Sequence, residues 1–236
     1  MRKPRKDAQQ TRHRLLEAAS EIFADKGFWE ASNADICKKA QVNTAAVSYH
    51  FGGKESLYVE AWRYAFERSM EAHPPDGGVA LDAPVQDRLR GWILSFMQRI
   101  GDPTNREVEI MHKEMANPTG LLSEAIRQVM EPMHQASRLL IRELLGASAD
   151  DLQISLCEMS IMGQCFGPML RIRHARKSPE ASHPGPLPLK ISVMDLADHV
   201  VRFSLAGIHG VRRQDGQTRK NPRKNSPRNQ RGSKQE

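Results

Sequence analysis

Residues Ser32 to Tyr58, SNADICKKAQVNTAAVSYHFGGKESLY, determine the fold, because they predict two short helices joined by a tight turn and followed at once by a third. Ser32 and Asp35 have the spacing of a capping box, which predicts a helix that ends near Ala40. Asn43 is a favourable cap for a second helix from Thr44 to His50. This arrangement predicts a helix-turn-helix, a motif that places its second helix in the major groove of DNA.

The second helix has one apolar face and one face that is free for a partner. Val47 and Phe51 are four residues apart and predict the buried side. Thr44, Ala45 and Ser48 are small, so the other side would enter a groove deeply. Thr44 and Ser48 are therefore the candidates for contacts to base edges.

Larger polar residues on the same side are candidates for phosphate contacts. Tyr49, His50 and Lys54 could reach phosphates, which contribute affinity rather than sequence choice. Free N–H groups after Gly52-Gly53, together with the Lys54 ammonium, would form an anion site. Alternatively, Tyr49 and His50 are packing residues of the head. The predicted DNA-binding residues are Ser32, Asn43, Thr44, Ala45, Ser48, Tyr49, His50 and Lys54.

A helix is predicted before this motif, from Thr11 to Lys26, with Gly27 ending it. Together they would form a three-helix DNA-binding head over residues 11–53. Residues 1–10 are basic and have no apolar period. They are predicted to be a disordered arm, which either lies along phosphates or is simply solvated.

From Leu15 to Trp62, the chain resembles the N-terminal domain of the TetR-type (tetracycline-repressor-like) bacterial transcription regulators. The segments LLEAASEIFADKGF, ADICKKAQV and VSYHFGGKESLY carry this resemblance. It implies an all-α protein with a helix-turn-helix head and a C-terminal helical domain for ligand binding and dimerisation. Gln41 departs from the family, which usually has Gly there, at a cost of about 1 kcal/mol in a left-handed conformation. Ser48 replaces a frequent Tyr, so known base contacts do not transfer.

The positive charge of the chain lies at its two ends. The 236 residues hold 35 Lys+Arg and 28 Asp+Glu, a formal net charge of +7. Residues 211–236 hold nine basic and two acidic residues, and residues 1–14 hold six and one, which leaves a net charge of −5 on residues 15–210. Basic ends suit nucleic acid, and they equally suit solvated tails. Residues 211–236 have no apolar period and are predicted to be a disordered basic tail.

The sequence also argues against several classes of protein. Cys37, Cys157 and Cys165 form no C-x-x-C pair, and His112 lacks enough partners at metal spacing, so neither a metal nor a cofactor is expected. No stretch approaches 18 apolar residues, and no apolar segment follows the charged N-terminus. We therefore expect a cytoplasmic protein without a membrane partner. No catalytic or nucleotide-binding motif occurs, so an enzyme is not expected.

The body is predicted to span residues 54–210. Residues 54–73 form a connecting helix, whose apolar band is too broad for one contact surface and so would touch both head and body. A shift of this helix would then move the recognition helix. Pro74 to Gly78 is a cluster of helix breakers that predicts a loop before the remaining body helices.

A ligand pocket in the body is expected mainly from the resemblance. Methionine is flexible and suits an adaptable apolar pocket, but it is also ordinary core filler. Arg99, His112 and His134 could orient a polar group of a ligand. The candidate pocket residues are Trp92, Phe96, Met97, Arg99, Met111, His112, Met115, Met130, His134, Met159 and Met162.

The last two body helices carry more apolar surface than one body can cover. They are predicted to pair with their copies in a four-helix interface, as the resemblance also implies. The alternative is that both are ordinary core helices. The candidate dimer residues are Leu156, Gly163, Phe166, Gly167, Leu196, Val200, Phe203 and Gly207.

Together with the resemblance, these patterns predict a homodimeric transcription regulator, and the resemblance implies a repressor that a small hydrophobic or amphipathic effector releases from DNA. Two recognition helices one turn apart, about 34 Å, would require a near-palindromic operator in double-stranded DNA. The alternative is a DNA-binding organiser without an inducer, whose helical body recruits a protein partner.

Overall fold

A computed structural model of the chain describes residues 3–177 and 191–220, and these form nine helices and no strand. In chain order they are α1 (Lys3–Glu30), α2 (Asn33–Ala40), α3 (Ala45–Phe51), α4 (Lys54–Ala72), α5 (Val85–Gly101), α6 (Arg106–Ala116), α7 (Ser123–Leu145), α8 (Asp151–Lys177) and α9 (Val193–Lys220). The predicted all-α fold is confirmed.

Both predicted disordered ends are partly helical, which corrects the sequence analysis. Helix α1 begins at Lys3, so residues 3–10 are helical, while residues 1 and 2 lie outside the described part. Pro4 falls in the first turn, where its missing N–H is tolerated. Helix α9 continues to Lys220, and residues 221–236 lie outside the described part. In both places the chain continues a helix, α1 or α9, that is already packed. Each residue added to an existing helix gains a hydrogen bond without a new nucleation step, which explains why the helices extend into the basic ends.

The head is built around aromatic rings contributed by α1 and α4. Gly27 interrupts α1 with a φ of 74°, and the chain then turns Phe28 inward. The Tyr58 ring lies 4.8 Å from that of Phe23 and 5.2 Å from that of Phe28. The predicted end of the first regular helix at Lys26 therefore agrees with the structure.

The apolar core of the head does not stop at the predicted boundary after residue 53. Ile110 of α6, Leu122 and Ala125 belong to the same buried cluster as the helix-turn-helix. Helix α6 packs along both α1 and α4. The head therefore shares its core with two elements of the body.

A second apolar cluster joins α5, the C-terminal half of α7, α8 and α9. The loop between α4 and α5 is fixed on this bundle by a close approach of two glycines. A Cβ placed on Gly77, whose φ is +62°, would lie 2.4 Å from the Gly91 carbonyl oxygen. Only glycine fits this contact, so the loop after α4 has a defined position over α5.

Candidate nucleic-acid interface

Helix α3 presents the two faces that the sequence predicts. Val47 and Phe51 are buried, whereas Thr44, Ala45 and Ser48 are exposed. The predicted cap is also present, since the Ala45 N–H donates to Asn43 Oδ1 at 2.8 Å. The exposed face is narrow and made of small side chains, a shape that fits a major groove.

The turn before α3 contains the one non-glycine residue with positive φ among those described, Gln41, at φ 55° and ψ 48°. Helix α2 is capped as expected, because the Asp35 N–H donates to the Ser32 hydroxyl at 3.1 Å. The Lys26 ammonium donates to Asp35 at 2.8 Å, and this bond, followed by the one from Ser32, lowers the pKa of Asp35. The Lys26–Asp35 contact thus joins the end of α1 to the start of α2, while the left-handed Gln41 ends α2 and leads the chain into the turn before α3.

Tyr49 and His50 differ in their surroundings. Tyr49 is 81% exposed, so the alternative that it is a packing residue of the head is wrong. His50 is half-buried, with its ring centroid 4.9 Å from that of Tyr49. Tyr49 is therefore the more accessible of the two candidates for a phosphate contact.

Lys54 opens α4 and is held at a defined place on the surface. Its ammonium lies 4.4 Å from the centroid of the Phe28 ring, an attractive cation–π contact. Gly52, with a φ of 79°, caps the C-terminus of α3, and the extended Gly53 caps the N-terminus of α4. The first N–H groups of α4 and the Lys54 charge thus lie close together, next to the end of α1.

Two residues of the head were missed by the sequence analysis. Arg12 lies over the Phe51 ring at 5.1 Å and pairs with Glu60 at 2.8 Å, so it joins α1 to the end of α3. Trp29 is 66% exposed beside Phe28. The signal for Trp29 was its position two residues after Gly27, outside the apolar stripe of α1.

The candidate dimer residues divide into an exposed set and a buried pair. Leu156, Phe166 and Phe203 are exposed, and a Cβ on Gly163, Gly167 or Gly207 would meet no atom within 4 Å. These positions follow one side of α8 and of α9. Leu152 and Met159 are also exposed on this side of α8, although neither was among the candidate dimer residues.

Leu196 and Val200 are corrected from interface to core residues. They are 7% and 1% exposed and pack in the second apolar cluster, with Ala197 and Ile208. A straight helix completes a turn every 3.6 residues, so the four candidate positions of α9 divide between two of its faces. Phe203 and Gly207 remain on the outer face.

The candidate ligand residues lie in two separate clusters and on the surface. Met111 and Met130 pack against the head cluster, whereas Trp92, Phe96, Met97 and Met162 belong to the second cluster or pack against it. Met115 and Met159 are exposed, as is His134, which contacts Glu158 at 3.1 Å, and His112 is half-buried. The interpretation of Met97 as core filler therefore describes it better than the pocket interpretation.

Arg99 is held by a buried network and is not available to orient a ligand, which corrects that prediction. Its guanidinium donates to Glu107 at 2.9 Å, and both side chains are buried. The Ser69 hydroxyl also contacts Glu107, and the Asn105 amide donates to Ser69 at 2.8 Å. The network connects α4, α5 and α6 at the joint between head and body.

An apolar cavity of about 300 Å³ lies beneath the loop between α4 and α5. It shares only Trp92 with the candidate pocket residues. Its lining is Pro75, Asp76, Val79, Leu81, Arg88, Trp92, Met133, Ala136, Ser137 and Leu140. The Arg88 guanidinium at its rim donates to both oxygens of Glu143 at 2.6 Å.

Some kinds of site are not found among residues 3–177 and 191–220. Within those ranges, no three His, Cys, Asp or Glu side chains are grouped so that they could hold a metal ion. Burial raises the pKa of Cys165 to about 12. None of the helices in those ranges is long and apolar enough to cross a lipid bilayer.

Comparison with known proteins agrees with this arrangement. Residues 15–61 match the family model of bacterial regulatory proteins of the tetR family, and residues 85–208 match that of the C-terminal domain of the HTH-type transcriptional dual regulator CecR. CecR of Shigella flexneri is 25% identical over 166 residues, covering 66% of this chain and 74% of that protein. The HTH-type transcriptional regulator UidR of Escherichia coli K12 is 27% identical over 178 residues, covering 75% and 88%.

The fold is also that of solved regulators. A TetR-like transcriptional regulator from Rhodococcus sp. RHA1 superposes with a TM-score of 0.62 at 18% identity, covering 85% of this chain and 96% of that one. The CecR-type match covers more than half of the chain and begins at the first residue of α5, after the head, the connecting helix and the loop that follows it. Members of this class regulate transcription by binding DNA and are not enzymes. The chain therefore belongs to the TetR family of bacterial transcription regulators, with a body of the CecR C-terminal type.

Proposed function

We propose that this chain is a homodimeric cytoplasmic repressor that binds a near-palindromic operator through α3. A small apolar or amphipathic molecule bound in the body would release it. One observation carries the coupling between the two sites: Ile110 of α6 and Leu122 complete the apolar core of the head. A ligand that displaces α6 therefore displaces the surface on which the recognition pair rests.

Glu114, at the end of α6, supplies a polar joint between this helix and the head. Its carboxylate accepts a hydrogen bond from the Tyr58 hydroxyl at 2.9 Å and others from the Thr119 and Gly120 N–H groups at 2.9 and 3.1 Å. Burial, and then the bond to Glu114, raise the pKa of Tyr58. One side chain thus joins the connecting helix α4 to the turn before α7.

The start of α6 is tied to α8 by Arg173, which is 1% exposed. Its guanidinium donates to the carbonyl oxygens of Ile100 at 3.0 Å, Asn105 at 2.7 Å and also Asp102. The same segment holds Ser69 of α4 through the Asn105 side chain. Movement of α8 would therefore reach α4 through a continuous chain of hydrogen bonds.

The exposed apolar sides of α8 and α9 support the homodimer. Large apolar residues recur along them next to glycines that leave the backbone accessible. A symmetric pair of such helices would cover this surface in both copies at once. Dimerisation would also bring two recognition helices to one duplex.

The cavity beneath the α4–α5 loop supports the class of effector. Its size suits a small molecule, and its lining is mainly apolar, with Asp76, Arg88 and Ser137 as polar residues. A ligand there would touch the loop that follows α4 and also Met133 of α7, which packs against the head cluster. A small apolar or amphipathic molecule fits this chemistry best.

A thermal-shift screen of hydrophobic and amphipathic compounds tests this proposal, because a ligand that binds only the folded state raises its melting temperature. Leu81→Ala removes an exposed side chain from the cavity lining and should reduce the shift. Leu139→Ala, which removes another exposed leucine, on α7 and outside the cavity lining, should leave the shift unchanged.

Operator affinity measured with and without a hit then tests release. If a compound weakens operator binding by a given factor, thermodynamic linkage requires the reciprocal effect. The compound must bind the operator-bound protein more weakly than the free protein by the same factor. A compound that binds the body and leaves operator affinity unchanged would contradict ligand release. If no compound binds, an organiser that recruits a protein partner becomes the better explanation.

A further inference from the structure

Trp29 is exposed at the edge of the predicted DNA surface, and nothing in the fold accounts for that. It is 66% exposed, while its neighbours Phe28 and Ala31 are buried. Single exposed apolar side chains are common on protein surfaces, so exposure alone decides nothing. Its position relative to the DNA-binding elements carries the inference.

Trp29 is the next-to-last residue of α1 and precedes the capped start of α2. Its ring makes an edge-on contact with that of Phe28, with centroids 5.2 Å apart, and the Lys54 ammonium lies 4.4 Å from the Phe28 centroid. Ser32, three residues later, is exposed and caps α2. Lys54, a phosphate candidate at the start of α4, and Ser32, a predicted DNA-binding residue at the start of α2, thus flank the indole.

We infer that Trp29 extends the DNA interface beyond α3 by packing against the sugar–phosphate backbone that borders the groove. This rests on the proposed DNA-binding function. The indole offers an apolar face for deoxyribose and one N–H that can only donate, which suits a phosphate oxygen. The occupant is the backbone of a DNA duplex, because the surface is continuous with Lys54 and the start of α2.

A contact of this kind raises affinity without selecting sequence. Trp29 carries no charge, so it releases no counterions and the salt dependence of binding does not depend on it. Two effects are therefore expected together: a loss of affinity shared by all duplexes, and an unchanged salt slope. This pair distinguishes Trp29 from Lys54, whose removal should lower the slope.

Equilibrium binding of the full chain to a labelled operator, obtained by selecting bound genomic fragments, tests the inference. Trp29→Ala should weaken binding about tenfold, both to the operator and to random duplex, with an unchanged salt slope. Trp29→Phe keeps an aromatic ring but loses the N–H donor, so its affinity for DNA should lie between those of the wild type and Trp29→Ala. Leu139→Ala, exposed on α7, is the matched control and should bind like the wild type.

Fluorescence gives a second readout that does not depend on a loss of binding. Trp62 is fully buried and Trp92 half-buried, so the difference between the wild type and Trp29→Phe reports Trp29. Acrylamide should quench that component in the free protein and much less in the operator complex. Equal quenching in both states, or Trp29→Ala binding within twofold of the wild type, would overturn the inference. If the wild type itself prefers no duplex, the proposed DNA-binding function fails instead.

Discussion

At the scale of single residues, the turn between α2 and α3 places Gln41 in a left-handed conformation, at φ 55°. A side chain with a Cβ is disfavoured there by about 1 kcal/mol relative to glycine. Gln41→Gly should therefore raise the free energy of unfolding by about 1 kcal/mol. Urea denaturation at one fixed protein concentration measures this change. The slope of the free energy of unfolding against urea concentration should stay the same.

Gln41→Ala is the control for this substitution, because it removes the polar side chain but keeps the Cβ. It should gain no stability. If Gln41→Ala and Gln41→Gly had the same stability, the backbone conformation would not be the cause.

Lys54 combines a charge with a packing contact on Phe28, and one variant separates the two roles. Lys54→Met keeps a long flexible side chain on the ring but removes the charge. It should lower the dependence of log K on log salt by about one unit and weaken binding to all duplexes alike. Arg127→Ala, which removes an exposed charge from α7, should leave the slope unchanged. An unchanged slope in Lys54→Met would remove Lys54 from the phosphate contacts.

Residues whose role depends on near neighbours in the chain could be predicted from sequence. The Ser32 and Asn43 caps and the left-handed Gln41 all follow from contacts within a few residues. Arg99 could not be assigned in this way, because its partner Glu107 is reached only after the chain turns from α5 into α6. The sequence shows both charges but not their pairing.

At the scale of elements, Arg173 joins α8 to the segment between α5 and α6. Removing it takes this donor away from three backbone carbonyl oxygens and also removes the contact from Arg173 Nε to Glu109 at 2.5 Å. Breaking a buried charged contact is costly, so Arg173→Ala should lower the free energy of unfolding by about 3 kcal/mol or more.

Arg142→Ala provides the comparison on α7. Arg142 pairs with Asp151 at 2.7 Å, but both side chains are largely exposed, so its loss should cost less than about 1 kcal/mol. Denaturation of both variants at the same protein concentration measures the difference. Equal losses would mean that burial does not determine the contribution of Arg173.

Helix positions were easier to predict than the surfaces that helices bury. The three head helices and the connecting helix follow from local periodicity and breakers, and the structure has them. The positions of α5 and α8 determine which side of α9 is buried in its own body. The sequence does not show these positions, so Leu196 and Val200 were wrongly assigned to the dimer interface. The sharing of the head core with α6 is likewise a tertiary fact without a local signal.

At the scale of the whole molecule, the outer sides of α8 and α9 are expected to hold two copies together. Phe203 is 60% exposed on that surface. Phe203→Glu would place two carboxylates in a symmetric apolar interface, where each must lose its water. Sedimentation velocity at micromolar concentration should show a monomer, while Leu139→Glu, on α7, should remain a dimer. A dimeric Phe203→Glu would place the interface elsewhere.

The spacing of operator half-sites connects the dimer interface to DNA recognition. In a dimer whose recognition helices lie about one DNA turn apart, both helices engage only when the half-sites are spaced to match. Inserting five base pairs between the half-sites turns one of them to the opposite face of the duplex. The wild type should then bind no better than it binds a single half-site. The monomeric Phe203→Glu variant engages one half-site at a time, so its affinity should be the same for both spacings. If the wild type bound both spacings with equal affinity, its two recognition helices would act independently. The dimer would then provide no reason to expect a near-palindromic operator.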